Sequence, residues 1–170
     1  IEHRLIERMI TVIRRVLEQA VQTGSIDPYF VDTAVDFIRV YADLTHHGKE
    51  EDILFRDLAG KDLSDKDLRV MNELIEEHAF GRETAKSLVA ANSRYRNGDT
   101  AALAEVTALL RTLAEFYPKH IEKEDKVFFP ASRVYLSERE EQAMLAEFWE
   151  FDRKMIHKKY GNVVENLERQ

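Results

Sequence analysis

Residues 47–55, HGKEEDILF, and residues 120–128, HIEKEDKVF, carry one pattern: a histidine, a glutamate four positions later and a phenylalanine four positions after that. Four positions is slightly more than one α-helical turn, so a helical reading aims the histidine, the carboxylate and the ring along one face. Working outward from the first stretch, Phe37, Val40, Leu44, His47, Glu51, Leu54 and Leu58 follow in steps of three and four. Around the second, Leu103, Val106, Leu110, Leu113, Tyr117, His120, Glu124 and Val127 keep the same rhythm. Such spacing marks the core face of an amphipathic helix. Each of two helices thus places a histidine and a carboxylate where apolar side chains belong.

Glycine and proline are scarce and fall where helices should stop or start, which divides the chain into five expected helices. The first runs from about Ile1 to Thr23, before Gly24. Asp27 caps the second, with Pro28 at its first position, and it reaches about Ala59 before Gly60. Ser64 caps the third, which continues to about Arg96 and is broken by Asn97 and Gly98. Asp99 caps the fourth, which ends near Phe129 at Pro130 and carries an internal Pro118. Ser137 with Glu140 forms a capping box that opens a fifth, reaching at least Met155. Long helices joined by short turns predict an all-α fold: an up-down-up-down four-helix bundle over residues 1–130, with a C-terminal helical extension, 131–170, packed on the same domain.

The remaining bundle helices answer the same spacing test. Helix one gives His3, Ile6, Ile10, Ile13, Leu17 and Ala20, and helix three gives Leu68, Met71, Ile75, His78, Arg82, Ala85 and Val89. Six candidate metal ligands result: His3, His47, Glu51, His78, His120 and Glu124. His46 with Glu50 has the same spacing as His47 with Glu51 but sits about 100° off this seam, so it is expected to flank the site. A buried polar group without a partner costs roughly 2–7 kcal/mol. Six of them need one another or a cation, and imidazole with carboxylate suits iron, zinc or manganese. Tyr117, one turn before His120, and Arg82, one turn after His78, are carried as cofactor-contacting candidates; the alternatives are core filling with its hydroxyl satisfied elsewhere for Tyr117 and a side chain snorkelling to solvent for Arg82.

Composition narrows the function further. Cysteine is absent, which excludes thiolate metal sites, disulfides and a cysteine nucleophile. A net charge of −7 with interspersed basic residues argues against nucleic-acid binding. No apolar run is long enough for a membrane span and the start is not signal-like, so a cytoplasmic protein is expected. Phe148, Trp149 and Phe151 form an apolar cluster on the fifth helix, expected to pack on the bundle or to offer a homodimer face.

The motifs EHRLIERM around His3, HHGKEEDILF around His47, EEHAFGR around His78 and HIEKEDKVFFP around His120 resemble the hemerythrin-like, or HHE cation-binding, domains. That resemblance implies a four-helix bundle holding an oxo- or hydroxo-bridged pair of non-heme irons. Glu51 and Glu124 would bridge, with His3 and His120 on one iron and His47 and His78 on the other. It differs from the oxygen-carrying hemerythrins in one place: they have a histidine where this chain has Arg82. They also pair the fourth-helix histidine with an aspartate five residues on, which this chain has as Asp125, though Glu124 fits the seam and the internal repeat better. A set of four histidines and two glutamates is similar to bacterial proteins linked to repair of iron–sulfur clusters under nitrosative and oxidative stress. The implied partner is a small oxidant such as dioxygen, peroxide or nitric oxide. Sensor, scavenger or repair factor, a peroxidase or nitric-oxide reductase, and an interaction protein with a structural metal all remain open.

Overall fold

The computed structural model describes the backbone of residues 2–168 and the side chains of residues 2–155, 157 and 159; Ile1, expected to open the first helix, lies outside them. Among the described residues five helices follow in order: α1 (Glu2–Thr23), α2 (28–59), α3 (Asp65–Arg96), α4 (102–132) and α5 (Glu138–Glu168). A short 3-10 turn, Arg133–Tyr135, links the last two. The first four make the expected bundle: α4 packs along α1 and α3, and α2 packs on α3 and, more lightly, on α1.

The boundaries have local causes. The Asp27 carboxylate accepts from Tyr29 N at 2.9 Å, and Ser64 Oγ accepts from Asp67 N at 3.2 Å. Asp99 accepts from Ala101 N, one residue before α4 begins. At α5, Glu140 Oε2 accepts from Ser137 N while Ser137 Oγ accepts from Glu140 N, the reciprocal pair of a capping box. Gly24 and Gly98 end α1 and α3 at φ of 67° and 98°, where a side chain would be strained. Pro118 lies inside α4 and cannot donate to the Ala114 carbonyl. Arg14 of α1 fills that vacancy, donating from Nη2 to Ala114 O at 2.9 Å.

Two helices depart from ordinary α geometry. Ile38–His47 and Glu50–Phe55 in α2, and Glu124–Phe128 in α4, are wound as π-helix. Their backbone bonds close five residues apart rather than four, so each turn holds more residues. Within the first of these, Thr45 Oγ1 also donates to Val40 O, five residues back, at 2.8 Å. The buried line of α2 is accordingly Ile38, Ala42, His46, Glu50, Leu54 and Leu58, four apart throughout. In a strict α-helix each step of four overshoots a turn by about 40°, and wider turns absorb that drift.

The α1 seam is buried as expected, from His3 to Ala20. In α3 the buried face is turned by about a residue, through Met71, Leu74, His78, Gly81, Ala85 and Leu88, leaving Leu68, Ile75 and Val89 partly exposed. Two apolar clusters result. One runs from α1 and α4 through Ile13, Leu110 and Tyr117, and the other gathers Phe55, Leu58, Leu74, Phe128 and Met144. The histidines and glutamates occupy the layer between them.

Candidate metal centre

Five histidines enter that layer, one more than the spacing predicts. Metal-ligating atoms of His47, His78 and His120 lie within 4.8 Å of one another, and those of His3, His46, Glu50 and Glu124 form a second such group. His3 comes from α1, His46, His47 and Glu50 from the π-wound part of α2, His78 from α3, and His120 and Glu124 from α4. All are buried.

Each of the two glutamates reaches both groups. Glu124 sets Oε1 3.1 Å from His120 Nε2 and 3.6 Å from His78 Nε2, and Oε2 3.1 Å from His3 Nε2 and 4.0 Å from His46 Nε2. Glu50 sets Oε1 3.8 Å from His46 Nε2 and Oε2 3.4 Å from His78 Nε2. Glu51 is a different case. It was expected as the inward ligand of α2, but the π turns rotate it outward and bring its neighbour Glu50 in. Its carboxylate instead accepts from His78 Nδ1 at 2.7 Å. For the same reason His46, expected to flank, lies inward beside His47.

In four of the five the opposite imidazole nitrogen is hydrogen-bonded to an outer carboxylate, and in the fifth, His47, a carboxylate stands nearby. Nδ1 of His3 pairs with Asp125 at 2.9 Å, of His46 with Glu2 at 3.0 Å, of His78 with Glu51 and of His120 with Glu77, both at 2.7 Å; His47 Nδ1 stands 3.4 Å from Asp43. A carboxylate at Nδ1 holds the proton there and leaves the Nε2 lone pair directed inward, the form that binds metals. Three cations brace these carboxylates from outside. Lys49 pairs with Glu2, Arg82 with both Asp43 and Glu51 at 2.7 Å, and Lys123 with Glu77. Arg82 therefore acts two bonds away from the centre. Tyr117 is buried one turn before His120, its ring centre 6.3 Å from that of His47.

The electrostatics show what the layer lacks. Among the described residues, His47 Nδ1 and Nε2, both oxygens of Glu50 and of Glu124, and Nε2 of His78 and His120 are buried without a hydrogen-bond partner. His3 Nε2 and His46 Nε2 stand 2.8 Å apart, so two inward lone pairs face each other unless a proton or cation lies between. Burial pulls His46 and His78 down as bases, yet Glu50, Glu124 and the outer carboxylates win and push each up to about 10. His47 is driven well below the usual imidazole range by burial and by His78 and His120. Burial raises Glu124, but His120, His3, His46 and His78 hold it well below the ordinary carboxylate range. Two buried carboxyl groups ringed by imidazoles, with this many unpaired inward atoms, fit cations of nitrogen and oxygen preference.

A family model described as the hemerythrin HHE cation binding domain matches residues 1–132. The chain belongs to this hemerythrin HHE family. No curated protein and no solved structure matches it. As a hemerythrin HHE domain it is a metal-binding helical bundle, and α5 lies beyond the matched residues. No described helix is long and apolar enough to cross a membrane.

The spacing placed His46 and Glu50 beside the site rather than in it, and gave no sign of the outer carboxylates Glu2, Asp43 and Glu77. The strict four-residue run from Ile38 to Leu58 was the available signal. An α-helix requires a mixed three-and-four seam, so a strict four-residue run does not declare itself as a buried face.

Proposed function

We propose that this chain holds a pair of iron ions in the His–Glu layer and uses them to bind or react with a small oxidant: dioxygen, peroxide or nitric oxide. The observation that carries the reading is the disposition of Glu50 and Glu124, each offering one oxygen to either histidine group. Carboxylates that span two imidazole clusters suit two cations, not one. His47, His78 and His120 would hold one metal and His3 with His46 the other, so the division is three and two where two and two was expected.

When bound, the irons would supply one-electron redox chemistry. The protein's own contribution is positional and electrostatic. Asp125, Glu2, Glu51 and Glu77 fix the tautomers of His3, His46, His78 and His120, Asp43 stands beside His47, and the Lys49, Arg82 and Lys123 cations offset the outer negative charge. The apolar clusters flank the layer on both sides. Sensing, scavenging and repair of iron–sulfur clusters are the roles such a centre would serve. The likeness to repair proteins rested on four histidines, however, and five converge here, so reaction with the oxidant itself is the better supported role.

Elemental analysis of the anaerobically purified protein, followed by mixing with dioxygen, hydrogen peroxide or nitric oxide, tests this. The expected result is about two irons per chain, lost in His47→Ala/His120→Ala protein, and an optical change with at least one oxidant. Zinc in place of iron, or iron unaffected by all three, would overturn the reading.

A further inference from the structure

The hemerythrin HHE match ends at residue 132, yet α5 reaches back onto the candidate centre. At Gly48, between the inward His47 and Glu50, an added Cβ would lie 3.0 Å from the Phe151 ring, so α5 is seated directly on the backbone of α2. One residue on, Lys49 is a buried lysine, 6 % exposed. Lysine is seldom buried unless paired, and here Nζ donates to Glu2 Oε1 of α1 and, at 2.7 Å, to Asp152 Oδ1 of α5. The Phe148 ring of α5 lies 5.9 Å from the same ammonium. The other oxygen of Glu2 faces His46 Nδ1. A continuous polar chain therefore runs Asp152, Lys49, Glu2, His46, from the C-terminal helix to one inward imidazole.

Beside this chain a groove of about 1420 Å³ separates α5 from α1 and α2. Its inner end includes His3, His46 and Glu50, all from the two-histidine group. Its walls include Leu5 and Met9 of α1 and Leu145, Phe148 and Trp149 of α5. No residue of the three-histidine group lines it; His47 borders a separate and much smaller cavity with Tyr117 and Gly81.

We propose that α5 forms the outer wall of the entrance to the His3–His46–Glu50 half of the centre, and that Asp152 is a positioning residue that holds this entrance through Lys49 and Glu2. The inference rests on the two-metal reading above. The two metal positions then exchange with solvent unequally. The half facing the groove is governed by the Asp152–Lys49 pair, and the half formed by His47, His78 and His120 is not. Asp152 touches no candidate ligand, its side chain is partly exposed, and Lys49 keeps Glu2 as a partner without it, so its substitution is expected to leave the bundle intact.

The test is the rate at which excess coloured ferrous chelator removes iron from the full-length protein loaded anaerobically with ferrous ion. It is followed in wild type, Asp152→Asn, Asp152→Glu and Glu147→Gln. Glu147 lies on the same helix but pairs with the exposed Arg56, which makes it the control for general loosening of α5. Two equivalents leaving in two phases are expected, with the faster phase accelerated about tenfold in Asp152→Asn, restored in Asp152→Glu and unchanged in Glu147→Gln. Phases that move together in Asp152→Asn, or rates equal in all four proteins, would overturn the positioning role while leaving the two-metal reading standing. Fewer than two equivalents bound by the wild type would overturn both, so the two failures are distinguishable.

Discussion

At the scale of single residues, the centre is built in layers: an inward nitrogen, an outer carboxylate at the opposite nitrogen, and a cation beyond. Arg82 shows how much depends on the outermost layer, because it holds the partners of both His47 and His78. Arg82→Ala leaves Asp43 and Glu51 without that cation, and groups in this position typically change metal affinity 10- to 100-fold. We expect a loss of about that size in competition with a chelator, with helical content by circular dichroism unchanged. An affinity equal to wild type would show that the imidazoles are oriented by packing alone. His3, His47, His78, His120 and Glu124 were legible as inward residues because they fall on apolar seams. Glu50 was not, since two adjacent glutamates and two adjacent histidines offer the same spacing and only the winding of the helix chooses between the pairs.

At the scale of the helix, departures from regular α geometry sit where function or proline requires them. The π turns of α2 let His46, His47 and Glu50 face one interior, which a 3.6-residue helix does not allow for the whole line from Ile38 to Leu58. Helix ends were read correctly from Asp27, Ser64 and Ser137, because a cap is a local hydrogen bond that needs no tertiary information. The winding is the opposite case: it is imposed by the packing of neighbours, and a pattern of apolar residues reports it only indirectly. In α4, Arg14 compensates for Pro118. Arg14→Ala should lower stability by about 1 kcal/mol, seen as a lower denaturant midpoint. Pro118→Ala restores the backbone donor and should make the Arg14 substitution nearly silent in a double-mutant cycle; full additivity would contradict the link. At the start of α5, Lys61 and Ser137 hold the Glu140 carboxyl at about 2, below its usual 4.5. A depressed folded-state value adds stability above the unfolded value and loses it as pH falls. Glu140→Gln should therefore narrow the gap between neutral and acid stability only over the range from about 4.5 to about 2, and the effect should be small because the group is exposed.

At the scale of the molecule, two apolar clusters sandwich a polar layer whose charges need cations, so metal and fold stability should be coupled. A ligand at 100 times its dissociation constant stabilises by about 2.7 kcal/mol. Stripping the metal should accordingly lower the thermal midpoint, and returning ferrous ion should restore it; an unchanged midpoint would mean that the layer satisfies itself with protons. The all-α bundle and its five helices were legible from the sequence because each helix carries its own periodicity and punctuation. The seating of α5 over Gly48 and Lys49 was not, since it depends on contacts between residues about a hundred positions apart. The central claim is that two metals are spanned by Glu50 and Glu124. Metal stoichiometry of wild type, Glu50→Gln and Glu51→Gln, purified side by side, tests it most directly. The account predicts about two metals per chain in wild type and in Glu51→Gln, with at least one lost in Glu50→Gln. Loss in Glu51→Gln with Glu50→Gln intact would contradict it.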